Sequence, residues 1–136
     1  MTEVKQHADW LYERGEGRYK HRWNNDYAGF EPSDKGSVGK CPSSITETLA
    51  TEILNQGVPY YSGLEDQLPS KIYSVHQGVI YEAVPTMPSI SWHGYPWRGN
   101  LRGRRPLSSR IVRKLKKMAE KSGHSKEFEQ WLKQYG

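Results

Sequence analysis

The spacing of hydrophobic residues changes once in the second half of the chain, and this change decides the fold class. Between residues 71 and 84, β-branched and aromatic residues dominate on both sides of the turn-like pair Gln77-Gly78. Such a pattern predicts a β-hairpin. From about residue 108 onwards, apolar residues recur every three or four positions, as in amphipathic helices. The chain therefore combines a sheet with helices, which predicts an α+β protein.

The expected architecture is a small antiparallel β-meander at about residues 71–95, packed with N-terminal helices and a C-terminal helical hairpin. The β-hairpin spans 71–84, and the segment 90–95 could add a third strand. A basic helix is predicted over 108–121 and a second helix over 125–135. Earlier in the chain, helices are predicted over 3–14, from apolar spacing, and over 45–56, from the capping-box spacing of Ser44 and Glu47. An irregular, aromatic-rich stretch from 18 to 42 separates them.

The length of 136 residues predicts a single domain covering 1–136. The mean hydropathy of -0.89 and the hydrophobic fraction of 35% predict a modest core. Nine Tyr and five Trp residues can enlarge that core because aromatic side chains bury large areas.

The charge balance narrows the class of partner. A net charge of +5 favours nucleic acid, with RNA preferred, or an acidic protein. No apolar run is long enough to cross a bilayer, and none resembles a signal peptide, so no membrane partner is expected. The single cysteine, Cys41, fits the reducing cytoplasm. The five histidines are scattered without metal-binding spacing, so neither a metal nor a cofactor is predicted.

The strongest functional signal is the basic run from residue 98 to residue 121, in which the only acid is Glu120. Arginines in a loop can pair with phosphates, and lysines on the following helix add affinity through counterion release. The alternative is a solvated helix face that only keeps the protein soluble. The residues predicted to hold phosphates are Arg102, Arg104, Arg105, Arg110, Arg113, Lys114, Lys117 and Lys121.

A second candidate site lies in the segment from Ser91 to Arg98, where aromatic residues stand beside a histidine and an arginine. Trp92, Tyr95 and Trp97 are predicted to stack on unpaired bases. His93 is the candidate general base, Arg98 would steady a phosphorane, and His76 would be recruited as the acid. The alternative is aromatic packing at a sheet edge, with His93 inert.

Three other patterns are weaker. Gly36 to Lys40 resembles a phosphate-binding loop, but its glycines are too close together and Cys41 stands where Ser or Thr should hold magnesium. Cys41 itself could be a nucleophile, although a lone cysteine is more often a spectator. A DNA-reading helix-turn-helix is disfavoured because the basic helix comes first rather than second.

These observations predict a small basic domain that engages nucleic acid, and that could be a metal-independent ribonuclease of the kind used as bacterial toxins. The sequence leaves open whether the chain is an enzyme at all. The alternative is a non-enzymatic adaptor whose basic face docks an acidic protein.

Overall fold

The computed structural model describes residues 10–12, 28–33, 36–63, 68–87, 91–99 and 107–136. In this part of the chain the fold is α+β, as the sequence predicts. The strands are β1 (Leu11–Tyr12), β2 (Gly29–Ser33), β3 (Gly36–Lys40), β4 (Val58–Tyr60), β5 (Lys71–His76), β6 (Val79–Met87) and β7 (Ser91–Pro96). The helices are α1 (Glu47–Asn55), α2 (Ser109–Lys121) and α3 (Ser125–Tyr135).

The main sheet has the strand order β1-β7-β6-β5-β4, and β2 pairs with β3 in a separate antiparallel hairpin. Strands β4 to β7 run antiparallel to their neighbours, whereas the short β1 pairs parallel to β7. The predicted meander is therefore present, with one added strand at each side. A bulge between Pro85 and Met87 shifts the register of β6 against β7.

Helices cover both faces of this sheet. One core cluster joins Ile80 of the sheet to Ile111, Leu115 and Phe128 of α2 and α3. The other joins Leu54 of α1 to sheet residues that alternate with those of the first cluster: Ile72, Ala83 and Trp92. Because successive side chains of a strand point to opposite faces, the described part of the chain forms three layers, with α1 on one side and α2–α3 on the other.

Polar side chains fix where the helices begin. The Thr46 hydroxyl accepts a hydrogen bond from the Leu49 main chain at 3.2 Å, so α1 starts at Glu47, two residues later than predicted. Ser108 caps α2 in the same way through the Ile111 main chain, at 3.3 Å. The last helix has the predicted bounds, 125–135.

The β5–β6 turn places both of its central residues at positive φ, 52° for Gln77 and 82° for Gly78. This two-residue turn matches the twist of the strands that it joins. A Cβ atom at Gly78 would also lie only 2.8 Å from the main chain of Glu127 and Phe128 in α3. Glycine is therefore required both by the turn and by the docking of α3.

The predicted helix 3–14 is wrong where the structure describes it. Residues 10–12 are not helical, and Leu11 and Tyr12 pair with β7. The side-chain amide of Asn55 donates to the Trp10 carbonyl at 2.9 Å, and its oxygen accepts from the Trp10 amide at 2.7 Å. This long-range pairing overrides the helical spacing of the local sequence. Residues 3–9 and 13–14 lie outside the described residues.

Two segments predicted to be irregular contain strands. The described part of 18–42 forms the β2–β3 hairpin, with Ser33 paired to Gly36, so Gly36 to Lys40 is a strand rather than a phosphate loop. The connection after α1 contains β4, despite Pro59. Proline is tolerated there because β4 lies at the edge of the sheet.

Candidate functional site

The sheet face beneath α2 and α3 is ordered in rows that run across the strands. The row nearest the β5–β6 turn is apolar and contains Val75, Ile80 and Trp97. The next row contains Val58, Tyr73, Glu82 and Tyr95, which are direct cross-strand neighbours. The third row lies two residues further along each strand and contains Tyr60, Lys71, Val84 and His93. The two latter rows bring a carboxylate, an amine, an imidazole and three phenols onto one surface.

Glu82 is the centre of this polar group and is only 1% exposed. Its Oε2 atom accepts hydrogen bonds from Tyr73 Oη at 2.8 Å and from Lys71 Nζ at 3.4 Å. Its Oε1 atom accepts from Tyr95 Oη at 2.6 Å. A carboxylate buried on a sheet is expensive unless it is paired and hydrogen-bonded, and here both of its oxygens are satisfied.

The surrounding groups reach solvent where Glu82 does not. The Lys71 side chain is 39% exposed, and both His93 and Tyr95 are half-buried. His93 pairs with Val84, two residues along β6 from Glu82, so it is a diagonal cross-strand neighbour of that carboxylate. Such neighbours have Cα atoms roughly 7–8 Å apart. Lys71, His93 and Tyr95 therefore lie around Glu82 on one sheet face, and Tyr95 is bonded to that carboxylate. We call these four residues the sheet-face site.

The structure does not bring the three predicted catalytic residues together. His76 and His93 flank β6 at Val79 and Val84, five residues apart, which is roughly 17 Å along a strand. Arg98 is separated from His93 by a similar length of chain. Its guanidinium stacks over the rings of Phe30 and Tyr135 at 5.3 and 5.5 Å, a cation–π contact that ties β2 to α3. Only His93 of the three lies in the sheet-face site.

The predicted base-stacking residues have other contacts. Trp92 is 4% exposed and packs against Trp10, with ring centroids 6.0 Å apart. Trp97 is 2% exposed, and its carbonyl accepts a hydrogen bond from Trp131 Nε1 at 3.0 Å. Neither tryptophan presents a free ring face to a base. Tyr95 joins the site through Glu82 instead.

The basic face of α2 points to solvent. Ile111, Leu115 and Ala119 are buried against the sheet, whereas the exposed side of the helix carries Arg110, Arg113, Lys114, Lys116, Lys117 and Lys121. Helix α2 packs on β5 and reaches β4, the two strands that carry Lys71 and Tyr60. The predicted loop arginines, Arg102, Arg104 and Arg105, lie outside the described residues.

His76 lies near the junction of α2 and α3 rather than near the site. Burial, and then the nearby His124 side chain, lowers the pKa of His76 below its ordinary value of 6.5. His124 Nδ1 is buried, finds no hydrogen-bond partner among the described residues, and lies 3.8 Å from a Glu127 carboxylate oxygen. These groups lie where the hairpin turn packs against α3.

The opposite sheet face offers less. Beneath α1 lies a mainly apolar cavity of about 40 Å³, whose lining includes Cys41 and Tyr81 and also atoms of Glu82 and Tyr95. Burial, and then the nearby Cys41 thiol, raises the pKa of the Tyr81 phenol well above its usual value. A space of this size accommodates a few water molecules and not a nucleotide.

Sequence reasoning missed Lys71, Tyr73 and Glu82, although one signal was present. Glu82 is the only charged residue in the run from Val79 to Val84. A glutamate within an otherwise apolar strand is unusual, because glutamate is rarely buried unless it is paired. Within the described ranges, no three His, Cys, Asp or Glu side chains are arranged to hold a metal ion. The helices of those ranges are too short and too polar to span a membrane.

Comparisons with protein-family models, with curated proteins and with solved structures found no match to this chain.

Proposed function

We propose that this chain is a small metal-independent ribonuclease whose reaction occurs at the sheet-face site. The observation that carries the proposal is the placement of Lys71, Glu82, His93 and Tyr95 on one face of the sheet. Cleavage of RNA by its own 2′-hydroxyl needs a proton acceptor, a proton donor and a cation beside the phosphate. The site contains one group of each kind.

Each group has a role that its exposure allows. The 2′-oxygen attacks the adjacent phosphorus while its proton passes to Tyr95 Oη, and the proton of Tyr95 passes to Glu82 Oε1, 2.6 Å away. Protonated His93 gives its proton to the 5′-oxygen as the bond from phosphorus to that oxygen breaks. Lys71 stabilises the negative charge that grows on the phosphate oxygens. The products are a 2′,3′-cyclic phosphate and a free 5′-hydroxyl.

The exposed basic face of α2 supports the same function from outside the site. Its six cations lie on a helix that packs against β5, the strand of Lys71. A polyanionic backbone lying along these cations would release counterions and gain affinity that falls with added salt. The same charges suit an acidic protein, and the adaptor hypothesis predicts binding without any cleavage.

The test is a gel assay of purified, nucleic-acid-stripped protein with labelled single-stranded RNA, single-stranded DNA and duplex DNA, in EDTA and across a salt series. We expect cleavage of RNA that survives EDTA and no cleavage of DNA, which lacks the 2′-hydroxyl. A salt-sensitive shift without cleavage would contradict the enzyme and leave a binder. No effect on any substrate at low salt would favour the acidic protein partner.

Histidine variants test where the reaction occurs. We expect His93→Ala to lower the cleavage rate roughly 10²- to 10⁴-fold, the usual contribution of a general acid. The matched control is His76→Ala, which removes a histidine from the other end of the sheet and should keep most of the activity. Equal losses in both variants, or full activity in His93→Ala, would remove the sheet-face site as the reaction centre.

A further inference from the structure

Of the aromatic residues that the sequence singled out for base stacking, Trp92 and Trp97 are buried and Tyr95 is bonded to Glu82, so they do not form an exposed stacking surface. Among the described residues, the large hydrophobic side chains that are exposed are Tyr60 at 39%, Tyr61 at 46% and Leu68 at 47%. Tyr60 lies in edge strand β4, and Tyr61 follows it directly. Exposed aromatic rings beside cations are the usual elements of single-stranded nucleic-acid binding.

Register links Tyr60 directly to the site. Tyr60 is paired with Lys71, and the Lys71 amine reaches Glu82 Oε2 at 3.4 Å. Directly paired residues point to the same sheet face, with Cβ atoms roughly 4.5–5.5 Å apart. The Tyr60 ring therefore stands next to the cation that would hold the phosphate.

The main chain of Tyr60 is fixed while its ring is partly exposed. The Tyr60 carbonyl accepts hydrogen bonds from the Ser70 amide at 2.8 Å and from the Ser70 hydroxyl at 3.2 Å. These bonds, together with the pairing to β5, hold the residue in place. A ring on a fixed main chain loses little conformational entropy when a flat partner stacks on it.

We propose that Tyr60 is a stacking platform for one base of single-stranded RNA, beside the phosphate held by Lys71. This inference rests on the proposed ribonuclease function and assigns the substrate class as single-stranded rather than duplex RNA, because a paired base has no free face to offer. The nearby basic face of α2 supplies charge for the backbone. An apolar peptide would gain nothing from those cations, which favours RNA as the occupant.

The test compares Tyr60→Ala, Tyr60→Phe and the matched control Tyr61→Ala, all checked for an unchanged melting temperature. The affinity for labelled single-stranded RNA is measured by fluorescence anisotropy in the His93→Ala background, and KM and kcat are measured with His93 present. We expect Tyr60→Ala to weaken binding roughly 5- to 150-fold, the range for loss of one base–aromatic stack, with the change in KM rather than kcat. Tyr60→Phe should keep wild-type affinity because the ring is retained, and Tyr61→Ala should change affinity less than Tyr60→Ala.

An RNA with abasic residues separates stacking from a general effect on folding. If one base stacks on Tyr60, removing that base weakens binding to the protein with Tyr60 and has little further effect on Tyr60→Ala. Cleavage with an unchanged KM in Tyr60→Ala would overturn the platform and leave the ribonuclease standing. Tyr60-dependent RNA binding without cleavage by the wild-type chain would overturn the ribonuclease and support the platform. No RNA binding at all would overturn both.

Discussion

The two ends of the sheet face beneath α2 and α3 are built from opposite kinds of residue. At the end near the β5–β6 turn, Val75, Ile80 and Trp97 pack against the helices in an apolar core. At the other end, Lys71, Glu82 and His93 lie on the same sheet face, and only Glu82 of the three is buried. Apolar burial stabilises a fold with little geometric demand, whereas a buried carboxylate stabilises it only if every partner is correctly placed. The apolar end therefore maintains the structure, and the polar end is where we propose that the chemistry occurs.

The greatest effect on stability is expected at the apolar end. Phe128 is fully buried and packs with Ile80 and Leu115 in the α2–α3 core, so Phe128→Ala should lower the free energy of unfolding by about 3–5 kcal/mol. Urea denaturation followed by tryptophan fluorescence measures this change. Folded molecules of the variant should still cleave RNA. A loss of activity without a loss of stability would break the division between the two ends.

Glu82 should show a smaller change in stability and a larger one in activity. Glu82→Ala leaves the buried Tyr73 hydroxyl without its acceptor and should cost about 1–3 kcal/mol of unfolding free energy. Glu82→Gln keeps an acceptor oxygen, so it should be more stable than Glu82→Ala, yet it lacks the negative charge needed to take a proton. Both variants should lose cleavage. The control, Glu120→Ala on the exposed face of α2, should stay within about 0.5 kcal/mol.

The turn end should also determine part of the pH dependence of stability. Burial, and then His124, lowers the pKa of His76 in the folded protein below 6.5, so the unfolded chain takes up this proton first as the pH falls. The contribution of His76 to the free energy of unfolding should therefore be constant above about pH 6.5. Below that pH it should decrease until His76 is also protonated in the folded protein. Denaturation of wild type and His76→Gln across this range should give a flatter curve for the variant. An identical slope would show that His76 does not contribute.

The smallest effect is expected from the basic face. Each phosphate that a variant no longer neutralises should reduce the slope of log affinity against log salt by about 0.7 for single-stranded RNA. The double variant Lys114→Ala with Lys117→Ala should show this reduction, since both side chains are exposed on α2. The matched control is Lys126→Ala with Lys133→Ala, which removes two exposed lysines from α3. If the slope of log affinity against log salt is equal in the two double variants, the net charge of the whole protein, and not this face, attracts RNA.

The sequence predicted the elements whose signals are local. The β5–β6 hairpin, β7, α2 and α3 lie within about two residues of their predicted bounds, except that β6 continues to Met87. Each has its own turn, cap or period. The prediction failed for residues 10–12, because the groups that hold Trp10 belong to Asn55, 45 residues away.

The candidate site was predictable only in part for the same reason. His93 and the basic helix stand out in the sequence because their neighbours are unusual. Glu82 can be recognised as a site residue only when the strand register is known, because its partners Tyr73 and Tyr95 come from two other strands. Likewise, the burial of Trp92 and Trp97 depends on layers that pack from distant parts of the chain.

Gly78 makes α3 sensitive to the correct pairing of the hairpin. A slip of one residue between β5 and β6 would bring a side chain into the narrow space against Glu127 and Phe128, and α3 could not dock. A chain with mispaired strands would leave the Phe128 and Trp131 side chains without the sheet surface that buries them.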